Sequence, residues 1–211
     1  MIINKDLFNS IETENEAYWL GFIIADGYVY KTNLLRIDIK DQYHLEKLSC
    51  LIYSDYKEKI KIRDLGYGDI YYFSCAIKKI VENLVKYGVV QNKSKITKLP
   101  IINDIFYRHF IRGLFDGDGC LTFSMDKNYR RYKFSIVGNY DLMIDVKKII
   151  FNETEILLGE GKMKSIYNIY KKGNQQIMKL LEWLYKDSNI FLERKYEKYK
   201  DMLNYYNLKN K

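Results

Sequence analysis

Two aspartates in matching surroundings are the residues with the clearest chemical potential. Asp26 closes the run Trp19-Leu20-Gly21-Phe22-Ile23-Ile24-Ala25-Asp26-Gly27. Asp118 closes the run Ile111-Arg112-Gly113-Leu114-Phe115-Asp116-Gly117-Asp118-Gly119. In each, a glycine sits in the apolar stretch, a small residue precedes the aspartate and a glycine comes after it. A single Asp-Gly is an ordinary turn, but a turn does not explain two copies inside matching apolar runs. Read as helices, both runs end on their carboxylates, where the helix dipole is negative. If the helices pack together, the carboxylates also repel each other. A divalent cation relieves both strains, polarises a phosphoryl oxygen and generates hydroxide from bound water. Mg2+ suits such a site because it takes oxygen ligands and keeps several waters.

The elements that must hold these acids are legible around them. Thr13 and Glu16 fit a capping box ahead of the first run. Gly27 is expected to end that helix in the left-handed conformation. In the second copy the helix starts at Asn103 or Asp104 and ends at Gly119. Glycine inside a helix costs about 1 kcal/mol relative to alanine, so Gly21 and Gly113 need a reason. Gly21 and Ala25 lie four apart, as do Gly113 and Gly117, and residues four apart share a helix face. Two small-residue faces let the helices approach closely.

The segments downstream of the two runs repeat as well. Leu35, Ile37 and Ile39 alternate with Arg36, Asp38 and Lys40, and Tyr132, Phe134 and Ile136 alternate with Arg131, Lys133 and Ser135. Such alternation marks strands with one wet face. Helical patterns come next, through Tyr43, Leu45, Leu48 and Ile52 in one half and Tyr140, Leu142, Val146 and Ile149 in the other. A hairpin through Lys59–Arg63, turning at Gly66–Asp69 and returning through Tyr71–Phe73, has a counterpart in Lys162–Lys164 and Tyr167–Tyr170. Later helices are expected near 77–87 and 175–185. Each half is then α-β-β-α-β-β-α in outline, an α+β fold. The only proline, Pro100, sits in the short linker Lys98–Asn103, which divides an N-terminal half, 1–99, from a C-terminal half, 100–211.

Composition narrows the partners. The 211 residues are 47% hydrophobic and 29% charged, with a formal net charge of +8. Residues 1–100 carry 15 Lys and Arg against 13 Asp and Glu, and residues 101–211 carry 20 against 14. Excess positive charge favours a polyanion, either nucleic acid or an anionic membrane surface. The three cysteines, Cys50, Cys75 and Cys120, are too few and too scattered for a disulfide framework or zinc knuckle; they read as reduced thiols, with Cys120 a small buried residue. No run is long and apolar enough to span a membrane, and Met1–Asp6 does not begin a signal peptide. His44 and His109 stand without matching partners and read as core or surface residues.

The two runs resemble the paired motifs of single-chain LAGLIDADG homing endonucleases, and the repeated order of elements extends the resemblance over roughly residues 16–200. It implies two pseudo-symmetric halves whose motif helices pack at a central interface, with antiparallel saddle-like sheets on the DNA major groove. It implies that Asp26 and Asp118 bind two or three divalent ions, Mg2+, between the motif helices, with backbone carbonyls from Ala25 and Gly117. A basic residue late in each half, Lys93 and Lys195, would stand near the scissile phosphates, with Lys95 as the alternative to Lys93. Asp116, where the first motif has Ile24, is not the usual metal ligand. DNA contacts are expected from Lys31, Asn33, Arg36, Asp38, Lys40, Lys61, Arg63, Arg131, Lys133, Ser135, Lys162 and Lys164.

The implied activity is metal-dependent hydrolysis of both strands of a long, asymmetric duplex site by an intron-encoded, intracellular monomer, in a phage-infected or bacterial cytoplasm or an organelle matrix. An intron-RNA maturase, a non-cleaving DNA-binding protein on the same scaffold and an inactive degenerate copy are the alternatives. The two repeats leave no length for an intein splicing domain or an added helix-turn-helix.

Overall fold

The structure, a computed structural model, describes residues 2–209 apart from 31–33, 54–58, 65, 67, 94, 95, 164 and 165. The first motif forms helix α1 (Glu14–Asp26). Its start is fixed by the expected capping box: Thr13 Oγ1 accepts from the Glu16 amide at 3.2 Å, and the Glu16 carboxylate accepts from the Thr13 amide at 3.0 Å. The second motif forms α4 (Tyr107–Asp118), which continues from a short 3-10 turn (Asp104–Phe106) capped by Asn103.

Both helices end at the expected glycines, but Gly27 does not take the left-handed conformation. Gly27 and Gly119 are extended, with φ near −84° and −85°, and pass directly into strands β1 (Gly27–Tyr30) and β5 (Gly119–Asp126). Their lack of a side chain serves packing instead. A Cβ at Gly27 would lie 2.8 Å from the Ile23 carbonyl oxygen, and one at Gly119 would lie 2.4 Å from that of Phe115.

From there the chain runs through β2 (Leu34–Ile39), α2 (Gln42–Tyr53), β3 (Ile60–Asp64), β4 (Asp69–Cys75) and α3 (Lys78–Lys86). After α4 and β5 come β6 (Tyr129–Gly138), α5 (Tyr140–Thr154), β7 (Gly159–Met163), β8 (Ile166–Lys172) and α6 (Asn174–Tyr185). A last helix, α7 (Glu193–Lys209), departs from the expected αββαββα outline, in which this stretch is only a basic segment. Its buried residues, Lys195, Tyr199, Met202 and Tyr206, fall near helical spacing, but the charged residues between them mask that period.

Two four-stranded antiparallel sheets result, in the orders β1-β2-β4-β3 and β5-β6-β8-β7. Their registers match. Gly27 pairs with Ile37 and Ile37 with Phe73; Gly119 pairs with Ile136 and Ile136 with Ile169. Arg36 therefore corresponds to Ser135, because Arg36 faces Tyr28 and Ser135 faces Cys120. Leu35, Ile37, Tyr132, Phe134 and Ile136 turn into the core, and their alternates turn outward. Tyr43 and Tyr140, read as part of apolar helix faces, are instead exposed in the first turns of α2 and α5. They stand beside Lys47 and Tyr167, where an amphipathic ring can stay wet.

The two halves share one continuous core, and α1 against α4 is its centre. A Cβ on Gly21 would lie 2.0 Å from the Phe110 carbonyl oxygen, and one on Gly113 would lie 2.0 Å from that of Tyr18. A Cβ on Gly117 would meet that of Ala25 at 2.3 Å. The helix penalty of Gly21 and Gly113 thus allows backbone-to-backbone contact. Among the described residues no helix is long and apolar enough to cross a membrane.

Candidate active site

The close crossing of α1 and α4 brings Asp26 and Asp118 to one end of the central interface. Asp26 is half-buried, and Asp118 keeps solvent contact at the rim of the site. Protein packed around Asp118 pushes its carboxyl up to about 6, and the charge of Asp26 adds to this; Lys93 and Lys195 pull the other way. Burial also raises Asp26, against the opposing fields of Lys195, Arg194 and Lys93. Two carboxylates that resist ionisation beside each other make a site that favours positive charge.

Lys93 and Lys195 are both buried and both reach this centre. Lys93 donates to the Gly27 carbonyl, and Lys195 to the carbonyls of Phe115, Gly117 and Gly119, the last two at 3.2 and 2.6 Å. Gly27 and Gly119 occupy equivalent places, so each lysine grips the same turn of its own half. Burial lowers both ammonium groups, Lys195 to about 8, and the nearby aspartates oppose the shift. Carbonyl acceptors at the helix-to-strand junctions thus satisfy ammonium groups that are buried. Lys95 lies outside the described residues.

Asp116 turns away from this centre and is wholly buried. Its carboxylate accepts from Tyr18 Oη at 2.8 Å, Tyr185 Oη at 2.7 Å and the Leu192 amide at 2.7 Å. The Tyr18 hydroxyl, its proton given to Asp116, lies 3.0 Å from His44 Nε2, whose N–H is then the donor. Burial holds His44 down near 3, so the ring is neutral. One turn earlier, Arg112 is also fully buried. It donates to the carbonyls of Ile190 and Leu184 at 2.9 and 3.0 Å and pairs with Glu14, which in turn accepts from Asn189. His109 completes this cluster at 2.9 Å from Arg112. Sequence reasoning missed Tyr18, Tyr185, Arg112 and Glu14. The signal that could have found them is that Arg112 and Asp116, four apart, interrupt an apolar helix whose first copy has Leu20 and Ile24.

The candidate DNA contacts separate into groups. Lys40, Lys61, Arg63, Arg131, Lys133 and Lys162 are exposed, and Ser135 is half-buried on the outward side of β6. Arg131 pairs with Asp126 at 3.0 Å, and Lys133 lies over the Tyr170 ring. Arg36 and Asp38 are bound to each other. An open cavity at the far end of the second sheet is lined by Arg131, Lys133, Lys172, Gln175 and Gln176. Lys31, Asn33 and Lys164 lie outside the described residues. Cys120, expected to be buried, is exposed, because the residue after Gly119 points to the open face of β5.

Among the described residues no three His, Cys, Asp or Glu side chains converge. The centre offers two carboxylates and helix-end carbonyls. That donor set fits a hard cation that keeps most of its water shell, and not one needing a full cage of protein ligands. The Gly117 carbonyl, an expected ligand, is shared with Lys195.

No family model matches the chain, and neither does any curated protein. Solved structures do. The LAGLIDADG meganuclease I-AabMI bound to uncleaved DNA superimposes with a TM-score of 0.61 at 14% identity, covering 92% of this chain and 90% of that one. I-SmaMI bound to an uncleaved DNA target in the presence of calcium ions gives 0.58 at 12% identity, over 92% and 90%. Full-length DUF199/WhiA from Thermatoga maritima gives 0.59 at 17% identity; 95% of this chain is covered, but the chain spans only 64% of that protein's length. At these identities the likeness establishes the architecture, and the fold is that of the LAGLIDADG homing endonucleases.

Proposed function

We propose that this chain, on the LAGLIDADG endonuclease fold, is a site-specific, metal-dependent DNA endonuclease in which residues 1–99 and 100–211 each serve one strand. The observation that carries the reading is the meeting of Asp26 and Asp118 at the ends of two helices in backbone contact, with Lys93 and Lys195 buried on equivalent turns. Asp26, Asp118 and the carbonyls of Ala25 and Gly117 would hold Mg2+. When bound, the ion supplies polarisation of a phosphoryl oxygen and a water of lowered pKa. Lys93 and Lys195 place positive charge beside the position where negative charge develops. The outward strand faces, with Lys40, Lys61, Arg63, Arg131, Lys133 and Lys162, take phosphates and base edges; phosphate contacts position the duplex and base contacts select it. One chain supplies both halves, so the protein acts as a monomer on an asymmetric site.

Cleavage is the test. Wild type, Asp26→Asn and Asp118→Asn are incubated with Mg2+ and a randomised duplex library, and the new ends are sequenced. Discrete double-strand breaks are expected from wild type. Each variant should lose about 10³-fold or more, since the ion supplies several kcal/mol of transition-state stabilisation. Duplex binding without metal-dependent cutting would reject the enzyme and leave a non-cleaving DNA-binding protein; retention of intron RNA in preference to duplex would leave a maturase.

A further inference from the structure

On the outward face of the first sheet, one arginine is held from two sides. Arg36 meets Asp38 with two hydrogen bonds, Nε to Oδ1 at 2.6 Å and Nη2 to Oδ2 at 2.9 Å. The guanidinium also lies 4.1 Å from the centroid of the Tyr72 ring, and Tyr72 is the β4 residue paired with Asp38. Arg63 adds a contact to Asp38 Oδ2 from β3 at 3.3 Å, and Tyr28 Oη lies 3.5 Å from Oδ1. The Arg36 and Asp38 side chains are 20% and 17% exposed, against 51% for Arg63. Arg36 is therefore set in one orientation before any ligand arrives.

The geometry defines what Arg36 can still do. A guanidinium has five N–H donors in a rigid fork. Asp38 takes Nε–H and one Nη2–H. The remaining pair across Nη1 and Nη2 points end-on and suits two adjacent acceptors. In the major groove only guanine presents two acceptors side by side, O6 and N7; adenine offers a donor in place of one of them, and thymine a single acceptor. Asp38 is occupied by two arginines and so is not a partner for cytosine; it positions Arg36. Holding the arginine in place beforehand removes the side-chain ordering cost of binding. At the same register positions the second sheet carries Ser135, Val137 and Asn168 in place of Arg36, Asp38 and Tyr72; its own outward arginine, Arg131, meets a single oxygen of Asp126 and is 63% exposed.

We propose that Arg36, fixed by Asp38 and Tyr72, determines specificity for a guanine in the half-site covered by the first sheet, with no such requirement at the symmetry-related position, where Ser135 stands, in the other half-site. This inference rests on the DNA-binding reading above.

The test is binding selection, which does not need cutting. Wild type, Arg36→Lys and Asp38→Asn are each used to retain duplexes from a randomised library in calcium, and the retained duplexes are sequenced. Wild type should prefer guanine at one position by about 5- to 150-fold, the range for one bidentate pair. Arg36→Lys, which loses the rigid fork but keeps a donor for guanine, should reduce the preference there and leave the rest of the motif intact. Asp38→Asn should weaken it at the same position. Because Arg36→Lys keeps the charge opposite Asp38 on the outward face of β2, it remains readable even if Asp38→Asn fails to fold. A retained motif whose guanine preferences are the same in wild type and Arg36→Lys would overturn this inference alone. Retention of no duplex by wild type would overturn the DNA reading and this inference with it.

Discussion

The two motif helices carry the same backbone contact but different interiors. In α1 the positions before the terminal aspartate are Leu20 and Ile24; in α4 they are Arg112 and Asp116, and all four are buried. The charged pair ties the segment after α6 to the central interface. Arg112 takes the carbonyls of Leu184 and Ile190, Glu14 takes Asn189, and Asp116 takes the Leu192 amide at the head of α7. Lys195 stands one turn further on, in a helix of 17 residues. Lys93 reaches its equivalent place from a short turn just after Asn92, a residue with φ of 58°, and that turn is held by Thr97 and by Asn139 of the other half. A pseudo-symmetric pair of lysines is thus positioned by two unrelated devices, one of buried charge and one of neutral side-chain bonds to backbone carbonyls. Buried ionic networks add little net stability but penalise any broken arrangement heavily. The C-terminal lysine is accordingly the more tightly specified of the two.

The largest expected effect tests the part of the comparison that is symmetric. Gly21→Ala and Gly113→Ala each drive a methyl to 2.0 Å from a backbone oxygen that cannot move aside. Both should cost about 3 kcal/mol or more in urea unfolding, by similar amounts. A tolerated alanine at either position would show that the two backbones are not in contact at the crossing.

Asp116→Asn tests the asymmetric part. The amide turns a donor toward groups that themselves donate, at a cost of about 1–3 kcal/mol. With strand-specific end labels, the strand served by Lys195 should be cut tenfold or more slowly, while duplex affinity and cutting of the other strand change little. Ile24→Val, at the matching place in α1, should cost only about 0.5–1.5 kcal/mol and leave the strand ratio alone. Equal slowing of both strands by Asp116→Asn would remove the link between Asp116 and Lys195.

The smallest effect concerns acid. His44, in α2 of the first half, is held neutral down to about 3, whereas α5 of the second half buries no titratable group. The unfolded chain takes up this proton below about 6.5 and the folded chain does not, so His44 makes stability fall as pH drops through that value, by about 1 kcal/mol between pH 7 and 5.5. Asp118 acts in the opposite sense. Its carboxyl is raised to about 6, so the stability linked to it is present below about 4 and is lost as pH rises through 6. The measurement is therefore the difference in pH slope between wild type and His44→Gln, which leaves Asp118 common to both. Identical slopes would show that His44 titrates normally in the fold.

Much of this architecture is legible in the linear chain. The repeated aspartates, the glycines four residues from a small partner, the capping box at Thr13 and Glu16 and the alternating strands are local patterns, and local patterns survive without a fold. Features that escape such reading are non-local or masked. The extended ends at Gly27 and Gly119 arise because the strand continues straight from the helix, and an Asp-Gly pair reads the same in either geometry. Helix α7 is hidden by its dense charges. Cys120 reads as buried when it is exposed, because the side facing solvent depends on strand register.

The amino-acid sequence by itself determined that the chain is a tandem repeat, that each repeat ends a helix on an aspartate, and that its strand faces are cationic. Only tertiary structure decided that Asp116 is a buried acceptor for two tyrosine hydroxyls and the Leu192 amide, that Lys93 and Lys195 are buried on the carbonyls of Gly27 and Gly119, and that Arg36 corresponds to Ser135 across the pseudo-symmetry. Periodicity states which side of an element a residue occupies. The element it packs against is set by the crossing of α1 with α4 and by the register of strands far apart in the chain, and neither is encoded in any one segment.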